Sequence, residues 1–116
     1  MMEILGLTNF YPEAIAETDH AFYCRYNRIA YVLEHGIGSI VARFLVNKGH
    51  KNGKEVHCIT DKGLILIFNQ ESKRFITLLF ARPAQITRYY DTVNLQPDKQ
   101  TMYCAELNFC KKLNKM

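Results

Sequence analysis

The stretch EVHCITDKGLILIFNQESKRFITLLFA, residues 55–81, decides the fold of this chain. It contains three short runs, residues 55–60, 64–69 and 74–81, that are rich in β-branched and aromatic side chains and are separated by polar turn-forming segments. Such runs are typical of β-strands. The middle run is continuously apolar rather than alternating, which favours a central strand covered on both faces. The stretch therefore predicts a three-stranded antiparallel meander whose first hairpin is closed by residues 61–63.

Two helices are expected on the N-terminal side of the meander. Pro12 and the acidic residues after it are typical of a helix start, and apolar residues keep helical spacing to about His35, where HGIGS interrupts the pattern. Ser39 is a candidate cap for a second helix that runs to Lys48. Helices are thus predicted over most of residues 12–48.

Strands are predicted over most of residues 54–81, and Pro83 ends the last of them. The following AQITRYY, residues 84–90, fits either a turn of helix or a loop, and residues 102–113 fit a closing helix. The predicted fold class is α+β, with two N-terminal helices packed on a three-stranded antiparallel meander and then a C-terminal helix. Residues 1–116 form a single domain in this interpretation, because the chain is too short for two.

Composition is that of an ordinary soluble globular chain, with 48% hydrophobic and 22% charged residues. The four cysteines lack any CxxC pairing and are interpreted as free thiols in a reducing compartment. The chain starts without a basic, apolar leader pattern and has no apolar run near the roughly 18 residues that span a bilayer. We therefore expect a cytoplasmic protein that has no membrane partner.

Charge is distributed unevenly along the sequence. The formal net charge is +4, but residues 1–42 hold five acidic and two basic residues, a balance of −3. Residues 43–90 hold nine basic and three acidic residues, a balance of +6. Such a concentration of positive charge attracts polyanions. One continuous positive face that contacts RNA is predicted, and an ordinary solvated surface is the alternative.

Two segments carry a resemblance to known proteins, HAFYCRYNR at residues 20–28 and DKGLILIFNQESKRFITLLFARP at residues 61–83. Together they resemble the small metal-independent ribonucleases and toxins grouped around barnase and RelE. The resemblance implies N-terminal helices followed by a twisted antiparallel sheet, cleavage of RNA without a cofactor, and a protein antitoxin as a partner. ARPAQITRYY, residues 81–90, is similar to segments of short phage and mobile-element proteins.

Metal-free RNA cleavage needs groups that move protons and cations that hold the phosphate. Histidine suits proton transfer because its pKa lies near neutral pH, and arginine binds two phosphate oxygens through its planar fork. The first and third strands of a meander run parallel, so His57 and Thr77 can share one sheet face. The candidate catalytic residues are His50, His57, Thr77 and Arg82, and the candidate RNA-binding residues are Lys51, Lys54, Arg88 and Tyr89.

Other interpretations of these residues stay open. His57 within a strand also fits a half-buried sheet residue with a backbone partner, and Tyr89 with Tyr90 also fits the edge of a core. No metal site is predicted, because the spacing of His50 and His57 matches no common zinc pattern. GxxxxGK[ST], GxGxxG and GxSxG motifs are absent from the sequence. The alternative function is a non-enzymatic phage or mobile-element protein that docks on nucleic acid or on a host protein.

Overall fold

The computed structural model of the protein describes residues 16–17, 26–47 and 53–114. Its elements are β1 (Ala16–Glu17), α1 (Tyr26–His35), β2 (Ile40–Asn47), β3 (Lys54–Thr60), β4 (Leu64–Asn69), β5 (Arg74–Phe80), α2 (Pro83–Asp91) and α3 (Lys99–Asn114). Strands β2 to β5 form an antiparallel sheet, and the two-residue β1 pairs in parallel with β5, which gives the strand order β1-β5-β4-β3-β2. The described chain is α+β, as predicted.

Strand β4 is the centre of this sheet, as its continuous apolar sequence predicts. The side chains of residues 64–68 are all buried, and alternate ones belong to two different cores on the two faces of the sheet. The predicted hairpin at residues 61–63 is confirmed, since the Gly63 N–H donates to the Thr60 carbonyl oxygen at 3.0 Å. The meander of β3, β4 and β5 is therefore correct in position and direction.

The second predicted helix is wrong, because Ile40–Asn47 is the edge strand β2. Ser39 does not cap a helix. Its backbone N–H donates to Asp61 Oδ1 at 3.0 Å, and the Asp61 N–H donates to the Ser39 carbonyl oxygen, which draws this segment alongside the β3–β4 hairpin. Phe44 is buried between exposed neighbours, the period of a strand with one covered face. Ile40 and Phe44 have helical spacing, but a β-bulge between Ile40 and Ala42 turns them to opposite faces of the sheet, so that Ile40 packs on the core containing Leu66 and Phe44 on the core containing Ile65.

Helix α1 is shorter than the predicted N-terminal helix. It ends at His35 as expected, where the Gly36 N–H donates to the Val32 carbonyl oxygen at 2.7 Å and Gly36 takes a φ of 80°. Ala16–Glu17, which fell inside the predicted helix, form strand β1 instead. The predicted start at Pro12 lies outside the described residues. The sheet thus gains strands at both edges from sequence that was predicted to be helical.

The two faces of the sheet are covered by different helices. Helix α1 covers one face through Tyr31 and Val32, which pack with a cluster of buried side chains that includes Val56, Cys58, Leu66, Phe68, Phe75, Leu78 and Phe80. Helix α2 covers the other through Ile86 and Tyr90, which pack with Phe44, Ile59, Ile65, Ile67, Ala81 and Ala105. Any site between the sheet and α2 is therefore separated from α1 by the sheet.

Helix α2 settles the open interpretation of residues 84–90, which are helical. Pro83 occupies its first turn, where a missing N–H costs nothing. The Arg82 N–H donates to Gln85 Oε1 at 2.9 Å, which closes the first turn with a side-chain cap. Ile86 and Tyr90 then fix the rotation of the helix by facing the core. Residues on the adjacent stripe of α2 consequently face the edge of the sheet formed by β2 and β3.

Helix α3 confirms the predicted closing helix. Before its first turn the Asp98 carboxylate accepts hydrogen bonds from the Thr101 N–H at 2.8 Å and the Thr101 hydroxyl at 2.9 Å. These bonds to Thr101, led by the backbone one, lower the pKa of Asp98. Within the described part of the chain, every helix is too short or too polar to cross a membrane.

Candidate active site

A cleft of about 330 Å³ opens between the β2–β3 edge of the sheet and helix α2. Strand β2 and strand β3 each supply one lining residue, helix α2 supplies three, and one follows the end of α2. The lining residues are Val46, His57, Gln85, Arg88, Tyr89 and Thr92. Histidine, tyrosine and arginine side chains together provide proton transfer and anion binding, so this cleft is the candidate active site.

His57 is held in the cleft wall by a carboxylate on its own strand. Glu55 precedes it by two residues, so the two side chains lie on the same face of β3, and Glu55 Oε1 lies 2.9 Å from His57 Nε2. Both side chains are largely buried, with 12% of Glu55 and 5% of His57 exposed. A carboxylate only accepts hydrogen bonds. The Nε2 atom therefore carries a proton, and in the neutral form of the ring Nδ1 is left as an acceptor.

Tyr89 supplies the partner for that acceptor. Its hydroxyl oxygen lies 2.6 Å from His57 Nδ1, and its ring stacks on Phe44 with 5.5 Å between ring centroids. Burial raises the pKa of the Tyr89 hydroxyl, and the negative charge of Glu55 adds to the rise while Arg88 opposes it. The hydroxyl is therefore protonated at neutral pH, and it donates to Nδ1 when the imidazole is neutral.

The order carboxylate, imidazole and phenol forms a chain that can carry a proton away from the cleft. If a ligand hydroxyl gives its proton to the Tyr89 oxygen, Tyr89 can pass its own to His57 Nδ1. The resulting imidazolium lies against Glu55, which stabilises the positive charge. This is the arrangement of a base that is oriented by a third group, with Tyr89 as the member that meets the ligand.

Arg88 adds a positive charge beside this chain. Its side chain is exposed, lines the same cleft and lies next to Tyr89 in sequence. Among the described residues it has no hydrogen-bond or ion-pair partner. The N–H donors of this guanidinium are therefore available to an anion, and the spacing of phosphate oxygens matches them.

Of the residues predicted for the site, the cleft brings together His57, Arg88 and Tyr89. Thr77 lies on the same sheet face as His57, as expected from the meander, because His57 pairs with Ile67 and Ile67 pairs with Thr77. It is nevertheless two strands away, about 10 Å, and does not line the cleft. His57 and Thr77 consequently do not meet at one point.

Arg82 and Lys54 lie elsewhere. The Arg82 guanidinium carbon is 5.3 Å from the centre of the Phe109 ring on α3, and Arg82 precedes Arg88 by six helical positions, a rise of about 9 Å along the helix. Lys54 is exposed on β3 at an even-numbered position, so it projects from the opposite sheet face to His57. His50 and Lys51 lie outside the described residues.

The basic residues of the central segment divide between the two faces of the sheet. Arg43 hydrogen-bonds the Cys58 thiol, a side chain of the core under α1, whereas Arg88 lines the cleft under α2. Burial raises the pKa of that thiol, and Arg43 opposes the rise. Arg43 and Lys54 therefore lie on the sheet face opposite to the cleft that contains Arg88, and the continuous positive face stays a prediction.

Two polar residues of the site with a structural role were missed from the sequence, Gln85, which lines the cleft, and Glu55, which lies behind His57. Glu55 is detectable in retrospect, because Glu-x-His in a strand places both side chains on one face. Gln85 is detectable because it is the third residue after Arg82, with Pro83 as the first residue of the helix. A glutamine at this position caps the helix start. Both signals depend on knowing that Glu55 lies in a strand and that Gln85 lies in a helix.

The described residues contain no group of three histidine, cysteine, aspartate or glutamate side chains that could hold a metal ion. No family model, curated protein or solved structure matches the chain. The resemblance to the barnase and RelE group therefore stays a prediction, and the function is argued from the geometry of the cleft.

Proposed function

We propose that the protein is a small metal-independent endoribonuclease whose cleft binds one phosphodiester of single-stranded RNA. The observation that carries the proposal is the 2.6 Å contact between the Tyr89 hydroxyl and His57 Nδ1 at the edge of a cleft that also contains Arg88. A buried proton-transfer chain next to an arginine without a described partner is what phosphodiester cleavage requires. This assignment keeps His57 as the predicted base and gives the phosphate-holding role to Arg88.

In the proposed reaction the ribose 2′-hydroxyl attacks the adjacent phosphorus. Its proton moves to the Tyr89 oxygen as the Tyr89 proton moves to His57 Nδ1, so the base is His57 acting through Tyr89. The new O2′–P bond forms as the P–O5′ bond breaks, and water supplies a proton to O5′. The products are a 2′,3′-cyclic phosphate and a 5′-hydroxyl end, and His57 then returns its proton to water.

Arg88 acts on the phosphate in this scheme. Negative charge accumulates on the non-bridging oxygens as the fifth bond to phosphorus forms, and a fixed cation stabilises that charge. Arg88 also binds the phosphate before reaction, so its loss is expected to reduce both affinity and rate. A residue of this kind differs from His57, whose contribution belongs mainly to the rate.

A second function is favoured by the way His57 is engaged. Both of its ring nitrogens are hydrogen-bonded within the protein, and the residue is only 4% exposed. A network of this kind also fits a structural clamp that fixes α2 on the sheet. In that case the cleft binds an anion without chemistry, and the protein is a phage or mobile-element binding module that docks on nucleic acid or on a host protein.

Cleavage of single-stranded RNA in the presence of EDTA separates the two functions. The wild-type protein should cut, and His57→Ala should lose cleavage while binding RNA within a few-fold of wild type, since a proton-transfer group contributes about 10²- to 10⁴-fold to rate and little to affinity. A folded wild-type protein that binds RNA and never cuts it would leave the binding module as the function.

A further inference from the structure

The amide of Gln85 is held in one orientation at the mouth of the cleft. Its Oε1 lies 2.9 Å from the Arg82 backbone nitrogen, and that nitrogen carries a hydrogen, so the oxygen end must face it. The NH₂ end is left on the other side of the amide. Because Gln85 lines the cleft, its two N–H donors are the groups that it can offer to a ligand there.

Arg88 lies three residues further along α2, so the two side chains occupy the same face of the helix. The remaining polar side chains of the cleft already form hydrogen bonds within the protein. His57 and Tyr89 bond each other, and the Thr92 hydroxyl donates to the Tyr89 carbonyl oxygen at 2.6 Å. Two donor groups with few competing acceptors select a ligand that only accepts hydrogen bonds, which is an oxyanion.

The charge and volume of the cleft narrow the class of oxyanion. With the His57 imidazole neutral, Arg88 is the one cation among the described lining residues, and the Glu55 carboxylate lies directly behind His57. A single guanidinium balances a monoanion. The cleft volume of about 330 Å³ is at the small end for ligand sites, so it fits one internucleotide linkage with its adjoining sugars and not a duplex.

We infer that Gln85 and Arg88 form a two-donor clamp for a monoanionic phosphodiester, in which Gln85 adds hydrogen-bond donors without adding charge. The inference deepens the proposed function by naming the linkage that the cleft holds. It concerns binding alone, so it can be tested with a ligand that cannot be cleaved. Gln85 contributes an N–H to one non-bridging oxygen, and Arg88 contributes its fork to the same oxygen or to the other.

Thymidylyl-thymidine, which has one phosphodiester and no 2′-hydroxyl, is the probe for this test. Its affinity is measured at pH 8 by NMR titration and compared with that of thymidine 5′-monophosphate, a dianion at this pH. The wild-type protein should prefer the diester. Gln85→Glu should weaken diester binding by about tenfold or more, because a hydrogen bond to a charged group is replaced by repulsion. Arg88→Gln should weaken it at least as much.

Gln85→Glu removes the amide donors without disturbing the helix cap, because glutamate keeps the acceptor oxygen that the Arg82 N–H requires. Its melting temperature should stay within about 2 °C of wild type, as expected of a substitution that keeps the helix cap and removes no buried contact. Gln100→Glu, which makes the same charge change at an exposed position on α3, should change the affinity by less than about twofold, as expected of surface charge.

Three results would overturn the inference: wild-type protein that does not bind the diester, Gln85→Glu that binds it as tightly as wild type, or a preference for the monophosphate. A clamp that binds the diester and depends on Gln85, in a protein that cuts no RNA, would support the inference and contradict the proposed enzymatic function. The two proposals therefore fail separately.

Discussion

His57 Nδ1 lies 2.6 Å from the Tyr89 hydroxyl oxygen, a contact that joins strand β3 to helix α2 across 32 positions of the chain. It brings a group from the sheet and a group from the helix to one edge of the cleft. Because Glu55 holds the other ring nitrogen, the orientation of the imidazole is fixed from both sides. The contact accounts for catalysis only if Tyr89 passes a proton to His57.

Removal of the Tyr89 hydroxyl is the first prediction. Tyr89→Phe keeps the ring that stacks on Phe44 and removes the hydroxyl that takes the substrate proton in the proposed reaction. The cleavage rate should fall by about 10²- to 10⁴-fold, while RNA affinity stays within a few-fold. Tyr103→Phe, at a 62% exposed position on α3, is the matched control and should leave the rate unchanged. An unaltered rate for Tyr89→Phe would remove tyrosine from the mechanism.

The second prediction concerns Glu55 as a positioning residue. Glu55→Gln keeps an oxygen that can accept from His57 Nε2–H but removes the negative charge that stabilises the imidazolium. The acidic limb of the pH–rate profile should therefore move to lower pH, with a reduced kcat and a nearly constant KM. Glu71→Gln, at an exposed turn position, should reproduce the wild-type profile. A purely structural Glu55 would reduce the amount of folded protein without moving the profile.

Alkaline stability provides the third prediction. Burial raises the pKa values of the Tyr31, Tyr89 and Tyr90 hydroxyls, so each group is harder to ionise in the folded state than in the unfolded chain. Their contribution to stability is complete below the unfolded pKa of about 10 and is lost as pH rises through the folded values. The free energy of unfolding, measured by urea denaturation, should therefore fall as the pH rises above about 10.

The same measurement on Tyr90→Phe isolates one of these groups. Phenylalanine has no group to ionise, so the alkaline loss of stability should be smaller in this variant than in the wild type. Tyr103→Phe serves as the exposed control and should follow the wild-type curve. Identical pH dependence in all three proteins would mean that the buried hydroxyls do not govern alkaline unfolding.

Packing of α3 against the β3–β4 hairpin gives the fourth prediction. A Cβ added at Gly63 would lie 2.5 Å from Asn108 Nδ2 and 2.7 Å from the Cys104 carbonyl carbon, and Gly63 has a φ of 71°. Gly36 has a φ of 80° but open space around the same position. Gly36→Ala should cost about 1 to 2 kcal/mol for backbone strain alone. Gly63→Ala should cost clearly more, because backbone must also move. Equal losses in the free energy of unfolding, measured by urea denaturation, would show that α3 shifts easily away from Gly63.

The strands β3 to β5 were predictable because their signal is local. Each run is short and apolar and is bounded by a turn, and the continuous run at β4 identifies the central strand without knowledge of its neighbours. Helix α3 was predictable for a similar reason, since its apolar spacing is helical over a long segment. Local pattern and tertiary packing agree in these elements.

Strand β2 was not predictable from the same kind of signal. Ile40 and Phe44 have helical spacing, and the segment becomes a strand through its pairing with β3 and through the contact of Ser39 with Asp61, 22 positions away. The site has the same limitation. His57, Arg88 and Tyr89 were chosen by residue type, but their meeting depends on how α2 docks on the sheet. Glu55 and Gln85 acquire a role only after that docking is known.

The central claim, that the cleft cleaves RNA through a 2′-hydroxyl without metal, is tested most directly by mass spectrometry of RNA ends. A single-stranded RNA is incubated with purified protein in EDTA beside the same strand carrying 2′-deoxyribose at every position. The account predicts 2′,3′-cyclic phosphate and 5′-hydroxyl ends from the RNA, at least about 10²-fold fewer with His57→Ala, and none from the deoxy strand. An intact RNA after incubation with folded wild-type protein, or cleavage of the deoxy strand, would contradict it.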